Sequence, residues 1–323
     1  MLLENPVQMS CPACEGRPSK FATLFTVTGF GRMCPVLKCA HCGLVLKGEL
    51  PDDKTLAGLY SKEYVHFRNP QAPPTAADVQ SIANKLEACR SASRALREKT
   101  KYRILDVGCG GGSVVRILRD LGHDAFGIDP YLPEEISQRY LHRDAAEIAG
   151  EEEFDIVLML NVAEHLPRPE ALFSSIRPLL AFDGVLLLTC PFGDSLARKV
   201  YCERWGQIAL DEHLLFWTRP SLQAFLRRLH FEGRLTCRIL GTPFPLGKVP
   251  LLSDRAATSG SARAQLAAPA LAAPAQGKGP ALVWRVARQI QGNPKLALLA
   301  RTILASSRLG DYMQAVFWQS SKP

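Results

Sequence analysis

No stretch of the chain approaches the roughly 18 uninterrupted apolar residues of a spanning helix, so a transmembrane protein is not expected. The opening Met1-Leu-Leu-Glu-Asn-Pro6 lacks a basic region ahead of an apolar run, so no secretory signal is expected either. Glycine and proline show no excess: 24 and 23 among 323 residues exclude a collagen-like or low-complexity chain. Extreme polarity is missing too, since 47% hydrophobic and 22% charged residues are ordinary for a globular protein. The length suggests about two folding units. The excess of cations sits in one stretch. Between Thr242 and Gly310, nine Lys and Arg face Asp254 alone, so this stretch carries the whole formal net charge of +8. Such a charge raises nucleic acid or anionic membrane as partners, but here it belongs to a segment and not to the whole protein.

Cysteine is plentiful. Cys11-Pro-Ala-Cys14 and Cys39-Ala-His-Cys42 form two C-x2-C turns separated by 24 residues. Each turn lets two thiolates approach one ion, with Gly16 and Gly43 just beyond. Together they complete a closed tetrahedral site suited to structural Zn2+, with Cys34 as an alternative ligand. Phe21–Val27 between them reads as a short strand, as a zinc ribbon requires. Metal-paired cysteines point to a reducing compartment, so the expected location is cytoplasmic.

Four regions follow from the pattern along the chain. Residues 1–50 are the zinc-ribbon module. Residues 51–100 form a connector holding Tyr60, Tyr64 and His66, breaks at Asn69-Pro70 and Pro73-Pro74, and a helix. Asp78 is the expected cap of that helix, with Val79, Ile82, Leu86, Cys89 and Leu96 at helical spacing. Residues 101–241 alternate strands and helices. Strands are expected at 102–107, 125–129, 140–141, 154–160, 184–189 and 235–240, and helices at 113–121, 170–180 and 221–229. This alternation predicts an α/β fold with a mostly parallel sheet covered on both faces. Residues 242–310 are an Ala/Pro-rich, basic excursion that becomes helical near its end, and 311–318 return as a last strand of the same sheet.

The sharpest motif is Asp106-Val-Gly-Cys-Gly-Gly-Gly112, at the end of the first strand of the alternating region. The chain must turn sharply into a helix there while its backbone approaches a ligand, and Gly108, Gly110 and Gly112 remove the Cβ atoms in the way. About 20 residues on, Asp129 ends the next strand, where a carboxylate can accept both ribose hydroxyl protons. A nicotinamide enzyme would share that spacing. However, Ser113 occupies a position where the dinucleotide fingerprint takes Gly or Ala, and Asp106 suits a cationic ligand better than a pyrophosphate.

These residues resemble the class I S-adenosylmethionine-dependent methyltransferases. Asp106–Gly112 is similar to their first motif and Gly127-Ile-Asp129 to their second. Asp144-Ala145 resembles the pair that addresses adenine, and Asn161-Val-Ala-Glu-His165 the segment after the fourth strand in the ubiquinone-biosynthesis-like branch. His213-Leu-Leu-Phe-Trp-Thr218 also resembles that branch, while the cysteine turns with Tyr60 and Tyr64 resemble a bacterial subgroup acting on sugars or envelope intermediates. The resemblance implies a Rossmann-like sheet over residues 101–241 plus 311–323, with an antiparallel last strand and a helical insertion before it. It implies S-adenosylmethionine held by Asp106, Gly108, Cys109, Gly110, Gly112, Asp129, Pro130, Asp144, Ala145 and Asn161. It also implies methyl transfer by in-line displacement to a small-molecule acceptor, a sugar or lipid-linked envelope or secondary-metabolite intermediate.

For a hydroxyl or acidic-carbon acceptor a general base helps, and His213, His165 and Glu164 are the candidates. The competing expectation makes these residues caps or packing groups, and Tyr60, Tyr64 and His66 either close over the acceptor from the front module or pack that module onto the core. In the basic stretch, Leu296, Leu299 and Ile303 share a helical face opposite Arg301 and Arg308. Residues 281–309 therefore read either as an anionic-membrane contact or as a helix packed on protein. Scattered cations and few aromatics disfavour nucleic acid. A zinc-ribbon RNA methyltransferase and a non-catalytic scaffold stand as alternative functions. The missing Asn/Asp-Pro-Pro-aromatic pattern weighs against the first, the intact glycine loop against the second.

Overall fold

The computed structural model describes residues 10–14, 20–29, 31–60, 73–133, 140–148, 153–208, 210–240 and 310–319. Tyr64, His66 and the expected insertion up to residue 309 lie outside them.

Two antiparallel strands, β1 (Phe21–Gly29) and β2 (Arg32–Cys39), join the two cysteine turns, and β3 (Val45–Lys47) adds to β2. Helix α1 (Asp53–Leu59) starts at Asp52, whose carboxylate accepts from the Thr55 amide. Helix α2 (Ala76–Ala92) is capped by Thr75, not by Asp78. Asp78 sits three residues in and accepts from the Thr75 amide and hydroxyl, while its own amide donates back to Thr75. The expected single helix through Leu96 also breaks. Ser93 is extended at φ −112°, and its hydroxyl receives the Leu96 amide to start α3 (Arg94–Glu98).

The alternating region follows with β4 (Arg103–Val107), α4 (Ser113–Asp120), β5 (Asp124–Ile128), β6 (Leu141–His142), β7 (Phe154–Leu160), α5 (Pro169–Ile176), β8 (Leu180–Pro191) and α6 (Leu196–Tyr201), a helix the pattern does not predict. Then come β9 (Leu215–Phe216), α7 (Arg219–Arg228), β10 (Gly233–Leu240) and β11 (Tyr312–Gln319). The helix expected to reach residue 180 stops earlier, passing into a tight turn at Arg177–Leu179 whose Pro178 cannot donate to an α-helix.

Seven strands form one sheet in the order β10-β11-β8-β7-β4-β5-β6. β4 to β8 pair in parallel, and β11 runs antiparallel between β8 and β10. Alternate residues feed two cores. Leu105, Val107, Met159, Leu186 and Leu188 pack with Phe173 and Phe225 on one face. Ile104, Ile156, Leu158 and Leu187 pack with Leu86, Leu96, Val115 and Leu118 on the other. Burial on both faces explains the near-continuous apolar runs of the sequence.

The small N-terminal sheet holds the surprise. Its order is β1-β2-β3-β9, so its fourth strand comes from residues 215–216. Cys11, Cys39, Cys42, Leu44 and Leu46 share the first core with the large sheet's strands. No helix among the described residues is long and apolar enough to cross a membrane.

Candidate functional site

Strand β4 delivers Asp106 to the carboxyl end of the sheet, where open α/β sheets bind ligands. The chain then turns through Gly108, Gly110 and Gly112, all with positive φ. A Cβ on Gly108 would lie 2.4 Å from Val162 Cγ2, and one on Gly112 would lie 2.8 Å from Leu141 Cδ1. The amides of Gly108 and Cys109 donate to the Ile128 carbonyl, and the Cys109 thiol is buried. Asp129, 8% exposed, accepts from the Gly110 amide and from the Tyr131 amide, both at 2.9 Å. The residue expected to meet a ribose thus also fixes the loop beside it. Asp106 is 2% exposed, and burial together with the Asp129 charge pushes its carboxyl up to about 8.

Pro130 follows Asp129 directly and leads to Tyr131. Ala145 is buried and Asp144 exposed where β6 leads into a short turn. Asn161 stands at the end of β7 in the left-handed region, φ 57°, and its side-chain oxygen accepts from the Thr189 hydroxyl. A strained asparagine at a strand end is a recurrent feature of ligand sites.

The three acceptor-side candidates come from two segments, Glu164-His165 and His213, and converge. Glu164, His165 and His213 each place a ligating atom within 4.8 Å of the others. The rings of His165 and His213 meet edge to face at 4.9 Å, and Glu164 Oε1 lies 3.8 Å from His165 Nε2. Among the described residues, neither oxygen of the fully buried Glu164 has a hydrogen-bond partner, and burial pushes its carboxyl up to about 8. His213 Nδ1 is 3.0 Å from the Gln207 carbonyl. A carbonyl only accepts, so the proton sits on Nδ1 and leaves Nε2 as the basic nitrogen. Burial, aided by the nearby Lys47 cation, pushes His213 down to about 4 and keeps it neutral. The Leu214 and Leu215 amides both donate to the Glu164 carbonyl, which locks the two segments together.

Tyr60 does more than pack. Its hydroxyl is 2.7 Å from His165 Nδ1, and its ring stacks on Tyr131 at 4.7 Å. Tyr131, Gln207 and Lys47 were not expected here. Tyr131 could have been found from its place right after Asp129-Pro130; the other two carry no local signal.

The cysteine turns also converge. Cys11 and Cys42 lie 3.6 Å apart, Cys14 and Cys39 3.7 Å apart, and all four sulfurs are within 4.8 Å of one another. A tetrahedron with metal–sulfur bonds of about 2.3 Å has edges of about 3.8 Å, so the donor set fits Zn2+. Cys34 is not part of it. It packs with Val27, Val36 and Trp205, and its thiol donates to the Pro35 carbonyl.

Residues 80–235 match a family model described as a methyltransferase domain. A ubiquinone biosynthesis O-methyltransferase of Azorhizobium caulinodans is 37% identical over 160 residues, 43% of this chain and 62% of that protein. Its counterpart in Cereibacter sphaeroides is 33% identical over 145 residues, 39% of this chain and 58% of that one. The chain therefore spans less than two thirds of these relatives. A crystal structure of a SAM dependent methyltransferase from Archaeoglobus fulgidus aligns at 16% identity and a TM-score of 0.43, over 74% of this chain and 94% of that one.

Proposed function

We propose that this chain, a class I S-adenosylmethionine-dependent methyltransferase, methylates a hydroxyl oxygen of a small-molecule acceptor, with His213 as the general base. The carrying observation is the convergence of His213, His165 and Glu164 in one buried cluster after β7. The named activity of the relatives in ubiquinone biosynthesis favours oxygen as the accepting atom. The acceptor class remains a sugar or lipid-linked envelope or secondary-metabolite intermediate.

Bound S-adenosylmethionine supplies a methyl group already activated on a sulfonium. The chain's part is to bind, orient and move a proton. Backbone from Gly108 to Gly112, with Cys109, would cradle the amino acid portion, and Asp106 would face its ammonium. Asp129 would take the ribose hydroxyls, with Pro130 beside it, and Asp144 and Ala145 the adenine edge. Asn161 would border the reacting end. On the acceptor side, His213 Nε2 receives the hydroxyl proton while Gln207 holds the tautomer. Tyr60 fixes the ring of His165 beside it. Cys11, Cys14, Cys39 and Cys42 would hold a structural Zn2+ that cross-links the two turns.

The test is His213→Gln, with release of S-adenosylhomocysteine measured against a panel of catechols and sugar nucleotides. Turnover should fall by ~100-fold or more while calorimetric affinity for S-adenosylhomocysteine stays unchanged. Unaltered turnover would remove His213 as the base.

A further inference from the structure

The last residue of β3 is a lysine buried without trace of exposure. Lys47 directs its ammonium to the carbonyls of Leu210, at 2.7 Å, and Asp211, at 3.4 Å. Its amide donates to the Leu214 carbonyl at 3.0 Å. Ahead of it, Leu46 pairs with Leu215 and Val45 with Phe216. One three-residue strand therefore grips the chain on both sides of His213.

Burying an ammonium among apolar groups is costly unless its hydrogen bonds are used, and an apolar residue would fill the same space without that cost. Two main-chain carbonyls at a turn are partners that an apolar side chain cannot serve. Burial pushes the Lys47 ammonium below the usual lysine range, while Asp211 and Glu212 favour its charge. The charge in turn favours the neutral form of His213. The strand itself begins just after Cys42 and Gly43, and Gly43 donates to Cys39 within the second cysteine turn. The glycine loop is held by other partners, Ile128 and Asp129.

We propose that Lys47 is a positioning residue for His213. By fastening the Leu210 and Asp211 carbonyls to β3, it makes the N-terminal cysteine module a working part of the acceptor half of the site. The consequence for turnover rests on the reading of His213 as base. The anchoring itself does not, so the two fail separately.

The experiment uses the full chain labelled with 15N-histidine, in which long-range imidazole spectra report tautomer and charge. His213→Gln identifies the His213 signal by its loss. In wild type at neutral pH that signal should be the neutral Nδ1–H tautomer. In Lys47→Met it should shift or mix tautomers, and Lys47→Arg should restore it in part. Affinity for S-adenosylhomocysteine should change by less than about twofold in both. A His213 signal unmoved in Lys47→Met overturns the proposal. If that variant does not fold, Lys47→Gln takes its place. In addition, wild type labelled with 15N-lysine must show an ammonium protected from exchange with water, and its absence also overturns the proposal. Turnover separates the two readings. If His213→Gln leaves methyl transfer to the acceptor panel intact, the base reading fails. If His213→Gln abolishes it and Lys47→Met does not alter it, the positioning role fails.

Discussion

Binding of S-adenosylhomocysteine should release a proton from Asp106. In the free protein, burial and the Asp129 carboxylate push Asp106 from its usual 3.8 to about 8. At pH 7 a group with that pKa is about nine-tenths protonated, and at pH 8 about half. The ligand's ammonium, placed against this carboxyl, favours the charged form and drives the proton off. Complex formation should then release about 0.9 proton at pH 7 and about 0.5 at pH 8. The assay is titration calorimetry in buffers of differing ionisation enthalpy, where the slope of observed heat against buffer enthalpy gives the proton number.

Affinity is the poorer readout. Ionising Asp106 at pH 7 costs about 1.4 kcal/mol, which offsets much of the ~1.5–3 kcal/mol a charged hydrogen bond contributes. Asp106→Asn avoids the ionisation and loses only the stronger bond, so its affinity should fall by ~10-fold or less. Its proton release, however, should vanish. Heats independent of buffer in the wild type at pH 7 would refute the placement of Asp106 against the ammonium.

Asp129→Ala leaves the Gly110 and Tyr131 amides without their carboxylate and removes the acceptor proposed for the ribose hydroxyls. Calorimetric affinity for S-adenosylhomocysteine should drop by roughly 2–4 kcal/mol, and equal binding would end that assignment. Glu164 is raised from 4.5 to about 8, so the native state holds its proton more tightly than the unfolded chain. Its stabilising contribution is complete below about pH 4.5 and is lost as pH rises to about 8, at up to ~1.4 kcal/mol per pH unit. In denaturant titrations Glu164→Gln should therefore be less sensitive to pH across that window than wild type, with Asp106 still contributing. Gly108→Ala forces a Cβ into Val162 in left-handed backbone. It should cost ~1–3 kcal/mol in unfolding experiments and weaken cofactor binding; wild-type values for both would show that the loop has room. Cys42→Ser should reduce zinc content, measured by elemental analysis, from one ion per chain to a fraction and lower the melting temperature; a wild-type chain that binds no zinc would defeat the S4 reading.

The large sheet was legible because its strands announce themselves. Ile104–Val107 and Ile156–Met159 are buried on both faces, with Gly108 closing the first and Asp155 opening the second. The glycine loop was legible for the same reason, since its steric demands are met within a few residues. The cysteine turns follow a spacing rule. What stayed hidden depends on pairing across long sequence distances. β9 is two residues long, and only its partner β3, some 170 residues earlier, makes it a strand. Its residues Leu215 and Phe216 sit in the apolar run Leu214–Trp217, whose role as a strand no local period reveals. The break at Ser93 was masked because Leu96 keeps helical spacing even though the backbone does not. Asp78 looked like a cap, but Thr75 three residues earlier completes a box in which Asp78 is the inner partner.

The two halves of the site therefore differ in kind. The proposed cofactor half lies mostly in one continuous piece, from Asp106 through Tyr131, where Asp129 accepts from the Gly110 amide, with Asp144, Ala145 and Asn161 added from later segments. The proposed acceptor half is assembled from Tyr60, Glu164-His165 and His213, each on a different segment, with Lys47 bonded to the Leu210 carbonyl beside the last. Glu164 is where these segments meet. Its carbonyl holds the Leu214 and Leu215 amides, while its side chain stands protonated beside the histidines. A neutral His213 at about 4 is a weak base on its own, because burial penalises its cation. The same burial penalises the Glu164 anion. Through its main chain Glu164 thus ties the segment of His165 to that of His213, and β3 ties the latter to the N-terminal module.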